Sequence, residues 1–382
     1  MTTIDPAAVD AALARVEDPE IHRPITELGM VKSVDIDRDR VRVSIYLTVS
    51  GCPMRDTITQ RVTLAVGAVP GVRHVDVDLD VMSEQQRQEL RRTLRGGRDD
   101  KEIPFAQPGS RTHVYAITSG KGGVGKSSVT VNLAAAMAAQ GVSVGVVDAD
   151  IYGHSVPGLL GLDTAPTVVE GMIMPPEALG VRAISILPFK PGGKSEPVAF
   201  RGPMLHRALQ QFLADVWWGD LDVLLLDLPP GTGDIAISTA QLLPGSQVVV
   251  VTTPQPAAAD VAVRAGMLAG QTHQKVAGVI ENMSGFPCPH CGEPIDLFGV
   301  GGGARVAEQL SEGLGTPVPL LGRIPFDVRL REGGDAGMPL VLSDPDSPAA
   351  ASLLEIAAGL ARRPRGLAGV SLGISPAAHP NG

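Results

Sequence analysis

Residues 113–128 read HVYAITSGKGGVGKSS, and this stretch decides the fold. The apolar run HVYAITS predicts a buried strand. Directly after it, Gly120-Lys121-Gly122-Gly123-Val124-Gly125-Lys126-Ser127 fits the pattern GxxxxGK(S/T). Its glycines let backbone N–H groups turn toward phosphate oxygens, Lys126 reaches the β and γ oxygens, and the Ser127 hydroxyl can ligate Mg2+. The Ala-rich segment from Ser127 to Gln140 predicts a helix, whose positive N-terminal end adds to the same anion site. A flexible linker would also be rich in glycine, but it would not sit between an apolar strand and a helix.

Outward from the loop, apolar strand candidates recur: VSVGVVDAD, VRAISILPF, VLLLDL, QVVVVTT and KVAGVIENM. Helix-length segments lie between several of them, among them Met204 to Trp217 and Ala257 to Ala269, and a last one runs from Ser347 to Arg363. Near-continuous apolar strands alternating with helices predict an α/β fold with a mostly parallel sheet, covered by helices on both faces. Upstream, a smaller α/β unit is expected. Pro6 to Val16 has a helical period, VKSVDI and VRVSIYLTV alternate like paired strands, Pro53 to Val69 returns to a 3.6 period, and HVDVDLDV alternates again. The polar helix SEQQRQELRRTLR follows it, and GGRDDKEIPFAQPGSR has no periodicity. The expected division is a small domain over 1–95, a linker over 96–112, a domain carrying the phosphate loop over 113–365 and a flexible tail over 366–382.

The chain has 382 residues, 44% of them hydrophobic, and that apolar content excludes a mostly disordered chain. Lys+Arg 32 against Asp+Glu 41 leaves a net charge of −9, which argues against non-specific binding to nucleic acid. Three cysteines in so long a chain cannot form a disulfide framework, which points to a reducing compartment. The opening MTTIDPAAVDAALARVEDPE is charged and has no apolar centre, and no run of eighteen apolar residues occurs. Neither a secretory signal nor a transmembrane helix is expected, so a cytoplasmic protein without membrane attachment is the reading.

Two acidic strand ends fit the same site. Asp148 and Asp150 close one strand in VVDADIYGHS, and Asp227 closes another in LLLDLPPGTGD. Carboxylates at the C-terminal ends of parallel strands face the ligand crevice, although aspartates there also cap turns. Farther on, MSGFPCPHCG places Cys288 and Cys291 two residues apart in a Pro/Gly-rich loop. A CxxC turn presents both sulfurs to one side, which suits a thiolate-bound metal or cluster. A structural Zn2+, a redox pair and inert thiols are the alternatives. One pair is half of a four-thiolate site, and a symmetric dimer would supply the other half.

SGKGGVGKSS resembles the deviant Walker A motif of the dimeric ATPases that include MinD, ParA, ArsA and the nitrogenase iron protein. With DADIYG, DLPPGTGD and ENMSGFPCPHCG following in order, the chain from His113 to Arg363 closely resembles the Mrp/ApbC family of ATP-binding iron–sulfur cluster carriers. The resemblance implies a homodimer in which Lys121 reaches across to the partner's phosphates. Gly120, Lys121, Gly122, Gly123, Val124, Gly125, Lys126, Ser127 and Ser128 would line the nucleotide. It also implies that Asp227 acts on Mg2+ together with Ser127, that Asp148 lies near the Mg2+ shell, and that Asp150 orients the attacking water. Gly231, Gly233 and Asp234 would sense the γ-phosphate, and Asn282 would contact adenine. Cys288 and Cys291 of both protomers would hold one bridging 4Fe–4S cluster. The cluster would come from a donor and pass to apo iron–sulfur client proteins, with weak ATP hydrolysis linked to that handling. One departure is His154, where the family pattern has Pro; it bears on the course of the switch loop and not on the cysteines.

The front segment resembles the small iron–sulfur-assembly domain often fused to bacterial carriers of this kind. The matching residues are Asp18-Pro19-Glu20, Leu28-Gly29-Met30-Val31 and Thr48-Val49-Ser50-Gly51-Cys52-Pro53. Cys52 stands just before a predicted helix, where a thiolate is stabilised, although a lone cysteine is more often a small buried hydrophobe. The rival reading is a MinD- or ParA-like positioning or partition ATPase with a structural metal at CxxC. A MinD-type protein needs a C-terminal amphipathic membrane helix, and Gly and Pro interrupt the segment after Arg362, Arg363 and Arg365. A ParA-type protein needs a basic DNA-facing surface. A reductase like the nitrogenase iron protein takes one cysteine from each of two separated segments, which the CxxC spacing argues against.

Overall fold

The computed structural model describes residues 4–48, 54–94, 102–151, 153, 155–186, 202–288 and 290–361. Cys52, His154, residues 96–101 of the expected linker and the expected tail lie outside the described residues. In chain order the first elements are α1 (Pro6–Leu13), β1 (Val31–Asp37), β2 (Arg40–Leu47), α2 (Arg55–Gly67), β3 (His74–Val81) and α3 (Glu84–Leu94). Then come β4 (His113–Ser119), α4 (Lys126–Ala139), β5 (Val144–Asp148), α5 (Val156–Leu159), β6 (Thr167–Val169), β7 (Met172–Met174), β8 (Glu177–Ala178), β9 (Val181–Ile184) and α6 (Gly202–Ala214). The remainder is β10 (Val223–Asp227), α7 (Asp234–Leu242), β11 (Gln247–Thr252), α8 (Pro256–Gln271), β12 (Lys275–Asn282), β13 (Phe286–Pro287) and β14 (Pro294–Ile295). Last are α9 (Gly302–Leu314), β15 (Leu320–Ile324), α10 (Val328–Asp335), α11 (Leu340–Ser343) and α12 (Pro348–Ala361).

Two compact units result. The first takes in Met1–Glu102 together with Pro166–Met174 and Asp215–Trp217. Its sheet has the order β1-β2-β3, with β1 antiparallel and β3 parallel to β2. In β2 the alternation of RVRVSIYL turns Val41, Val43, Ile45 and Leu47 into the core and leaves Arg40 and Arg42 exposed, as a strand of period two must. Burying each such aliphatic side chain contributes roughly 1.5–3 kcal/mol. The core includes residues from far downstream. Val169, Met172 and Met174 of the β6–β7 hairpin are buried with it, and the Trp217 indole N–H donates to the Ile21 carbonyl at 3.0 Å. A boundary drawn at residue 95 does not capture these segments. Their local pattern is that of a short hairpin, and it carries no mark of which core they complete.

The second unit is built on an eight-stranded sheet of order β15-β12-β11-β4-β10-β5-β9-β8. Its neighbouring strands are parallel throughout except for β8 against β9. All five residues of β10, VLLLD, are buried, so both faces of the sheet are covered there. Two edge strands go beyond the expected set. β8 is two residues long, and in β15 the apolar run of LLGRI is broken by Gly322 and Arg323. Helix α4 is buried on nearly every side, and its alanines allow close packing against α12 and the sheet. The Tyr115 hydroxyl fastens β4 to the end of α12 by donating to the Leu360 carbonyl at 3.0 Å. Among the described residues, no helix is long and apolar enough to cross a membrane.

Candidate nucleotide site and cysteine hairpin

The phosphate-loop pattern joins β4 to α4, in the middle of the parallel sheet. Loops that leave the carboxyl ends of such strands, where connections diverge to either side, form a crevice. Two of the loop glycines are there for space. Gly120 packs so tightly on α8 that a Cβ would run into the backbone of Val261 and Ala262. Gly125 caps α4 with φ +82°, and a Cβ there would collide with the Asn282 side-chain amide. That amide donates to the Val124 carbonyl at 2.9 Å, so the end of β12 is tied to the loop. The Gly231 N–H ties the DLPPGTGD segment to the same place by donating to the Ser119 carbonyl at 2.7 Å.

Asp227, at the end of β10, gathers the polar groups of the crevice floor. The Lys126 ammonium lies 2.8 Å from its Oδ2, and the Ser127 hydroxyl donates to the same oxygen at 2.6 Å. The Thr130 hydroxyl reaches Oδ1 at 2.8 Å. Lys126 and Asp227 are both buried, so each charge depends on the other and on these hydroxyls. Thr130 was not among the expected site residues. Its signal is spacing: residues 126, 127 and 130 share one face of a helix.

Asp148 ends β5 in register with Asp227 and is fully buried. Its Oδ2 accepts the Val156 N–H at 3.3 Å, while its Oδ1 has no hydrogen-bond partner. Burial, and then the neighbouring Asp227 charge, push this carboxyl well above the usual carboxylate range. An unpartnered buried oxygen, in register with the strand whose Asp227 accepts the Ser127 hydroxyl, suits a divalent cation carried in with phosphate. Asp150 is placed differently. Its Oδ1 accepts the Gly153 N–H at 2.9 Å, which is the turn-capping arrangement. Lys121 turns away from its own loop, and its ammonium donates to the Gln255 side-chain carbonyl at 3.0 Å. Gln255 escaped the sequence reading, although it directly precedes the proline that opens α8.

Beside the loop lies a cavity of about 460 Å³, within the range of small-molecule sites. Gly123, Gly125, Ser128 and Asn282 form its loop side, and Phe326 and Asp327 stand among the residues opposite. The Asn282 Oδ1 is buried and unpartnered. Arg329, held to Asp327 by two side-chain hydrogen bonds, keeps the Asp327 carboxyl below its ordinary range.

Six residues beyond Asn282, the chain reaches Cys288. β13 and β14 pair antiparallel, and between them the Cys288 N–H donates to the Glu293 carbonyl at 2.8 Å. Cys288 is half-buried and Cys291 is exposed, both as free thiols. Backbone N–H groups of Cys291 and His290 turn toward the Cys288 sulfur and, with the Cys291 side chain, lower its pKa. Such a turn favours thiolate, the form that binds metal. Among the described residues, no three or more His, Cys, Asp or Glu side chains are grouped to hold a metal, so within one chain the hairpin offers two thiols.

Comparison with known proteins agrees with this arrangement. A family model described as "NUBPL iron-transfer P-loop NTPase" matches residues 110–361, and one described as "Iron-sulfur cluster assembly protein" matches residues 6–79. An iron-sulfur cluster carrier protein of Mycobacterium bovis is 62% identical over 371 residues, covering 97% of this chain and 97% of that one. A protein of the same description from Deinococcus radiodurans is 42% identical over 352 residues, covering 92% and 93%. Among solved structures, a nucleotide-binding protein from Archaeoglobus fulgidus, in complex with ADP, is 36% identical with a TM-score of 0.53. That alignment covers 63% of this chain and 91% of the other. The resemblances read from the motifs, to the Mrp/ApbC carriers and to the small assembly domain, are borne out. With more than half of its residues inside the first match, this chain belongs to the NUBPL iron-transfer P-loop NTPase family.

Proposed function

We propose that this protein is a cytoplasmic iron–sulfur cluster carrier that works as a homodimer. In this reading, Cys288 and Cys291 of each protomer hold one 4Fe–4S cluster as cargo between them. The cargo comes from a donor protein and goes to apo-protein clients. The observation that carries the reading is the CxxC hairpin, with Cys291 exposed and N–H groups that favour thiolate at Cys288, following the strand that also ties into the phosphate loop. The names of the relatives support it, and neither membrane nor nucleic acid is assigned a part.

At the other site, the backbone of Gly120–Ser128 would receive the phosphates of ATP. Lys126 would neutralise the β and γ oxygens, leaving its resting partner Asp227. Ser127, with Asp227 and Asp148 behind it, would hold Mg2+, which supplies charge neutralisation at the phosphates. Asp150 would orient the attacking water once released from the Gly153 N–H. Lys121 would leave Gln255 and reach the partner's phosphates, adding cationic stabilisation where charge develops. The Asn282 carbonyl oxygen is free to accept from the adenine amino group in the cavity. Hydrolysis would be slow, because it depends on this assembly of two chains.

Anaerobic reconstitution with iron and sulfide tests the reading. The expected result is the broad visible absorption of a 4Fe–4S cluster, followed by its transfer to an apo-client such as an apo-aconitase-type enzyme. Tight zinc with no acid-labile sulfide, or a cluster that no client removes, would set the proposal aside.

A further inference from the structure

Three of the chain's seven phenylalanines meet at one point. The Phe326 ring stands edge-on to Phe286, with centroids 5.6 Å apart and planes at 78°, and lies 6.1 Å from Phe298. Phe286 is two residues before Cys288, and Phe298 is seven residues after Cys291. Both flanks of the cysteine hairpin therefore rest on a single ring. The backbone repeats the connection. The Phe326 N–H donates to the Gly285 carbonyl at 2.8 Å, and the Ser284 N–H donates to the Ile324 carbonyl at 2.9 Å.

Phe326 also lines the cavity beside the phosphate loop, in company with Asn282 and Asp327. One residue is thus a wall of the cavity and a support of the hairpin. The root of the hairpin is fixed by a different group. Glu281 is buried, its two oxygens accept from the Ser284 hydroxyl and the Gly303 N–H, each at 2.6 Å, and the Arg323 guanidinium lies 3.5 Å away. Glu281 thus holds the root of the hairpin, while Phe326 joins the rings that flank the cysteines to the cavity wall.

We propose that Phe326 is the positioning residue through which occupation of the nucleotide cavity and metal loading at Cys288 and Cys291 affect each other. The proposal rests on the functional reading above, in which the cavity takes the base and the cysteines take the cluster. A base packed against the cavity side of Phe326 restricts where the ring can sit, and the ring edges restrict the hairpin. Aromatic edge contacts of this kind shift an equilibrium by roughly two- to tenfold each. Coupling between two binding sites is reciprocal, so the effect is measurable from the nucleotide side alone.

The experiment measures the dissociation constant of Mg-ADP for anaerobic full-length protein, with and without reconstituted cluster. In wild type, loading is expected to change that constant severalfold. Phe326→Leu keeps apolar volume but removes the ring edges. It should still bind ADP and cluster, with a ratio between loaded and unloaded constants close to one. Phe326→Tyr should restore the wild-type ratio. Phe298 supports the hairpin and does not line the cavity, so Phe298→Leu should lower the ratio while leaving ADP binding by the unloaded protein unchanged. This second variant keeps the test decisive if Phe326→Leu folds poorly. Wild type that binds both ligands with a ratio of one overturns the coupling alone, as does an unchanged ratio in both leucine variants. Wild type that binds no ADP, or loads no cluster, overturns the functional reading and this inference with it.

Discussion

Asp148 and Asp227 face each other in register on β5 and β10, both fully buried, yet their surroundings are unequal. Asp227 has a lysine and two hydroxyls, whereas Asp148 keeps an oxygen without a partner and has its carboxyl pushed upward by burial and by the Asp227 charge. The sign of the consequence follows from proton counting. Above the ordinary carboxylate range, about pH 4, the unfolded chain has released this proton while the folded protein retains it. Stability contributed here is therefore present at acid pH and lost as pH rises toward the folded value. Asp148→Asn removes the titration. In metal-free protein the variant should melt above wild type at neutral pH, by about 2–4 °C for each kcal/mol regained, and the gap should close toward pH 4. Thermal melts across that range check it, and a gap independent of pH would contradict the assignment.

The ion pair of Lys126 with Asp227 separates a structural effect from a chemical one. Lys126→Met leaves a buried carboxylate without its cation, at a cost of about 3–5 kcal/mol. Adding Asp227→Asn removes the orphaned charge, so the double variant should recover most of that stability. It should not recover hydrolysis, which is expected to fall at least about a hundredfold in both proteins because the phosphates have lost their cation. Denaturant melts paired with phosphate-release assays decide this, and recovery of turnover in the double variant would count against Lys126 as the phosphate lysine.

Lys121 rests on Gln255 in the isolated chain, and that contact makes its proposed reach toward a partner testable. Lys121→Ala should lower turnover by roughly a hundredfold or more while sparing nucleotide binding, since its charge would act on the other protomer's phosphates. Gln255→Glu replaces a neutral acceptor by a carboxylate that holds the ammonium more strongly, and should also slow turnover. Gln255→Ala should not slow it. Steady-state hydrolysis with nucleotide titration reads all three, and full activity in Lys121→Ala would remove the lysine from the reaction.

How much of this was legible beforehand depends on the range over which each feature is encoded. The phosphate loop and its flanking elements are local: glycine spacing, an apolar strand and an Ala-rich helix lie within thirty residues, and the structure joins them as expected. The carboxylates were legible because strand ends face the crevice, which is how Asp148 and Asp227 come together. Gln255, Phe326 and the β6–β7 hairpin were not, because each matters through a partner over a hundred or about forty residues away, and no local period marks such a pairing. The edge strand β15 was hidden by Gly322 and Arg323, which its half-exposed position tolerates. The Gly153 contact of Asp150 shows why an aspartate at a strand end stays ambiguous in sequence: the same side chain caps a turn and can serve a reaction.

The cysteine hairpin allows a prediction by ligand counting. Each chain offers two thiols at Cys288 and Cys291, whereas a 4Fe–4S cluster is ordinarily held by four. If two copies share one cluster, reconstituted protein should hold about four iron atoms and about four sulfides per two chains, and loading should convert the protein to a dimer. Replacing either cysteine by alanine removes two of the four ligands at once by symmetry, so Cys288→Ala and Cys291→Ala should each abolish stable loading. The phosphate loop is held by other contacts, so both variants should still bind nucleotide. Cys52→Ala should load as wild type does, because Cys52 belongs to the front segment and not to the hairpin. Iron and sulfide assays on anaerobic samples, with mass from light scattering, give the ratio directly. A monomer carrying a full cluster, or full loading in Cys288→Ala, would falsify the shared site. Tight zinc without sulfide would instead make the hairpin a structural metal turn.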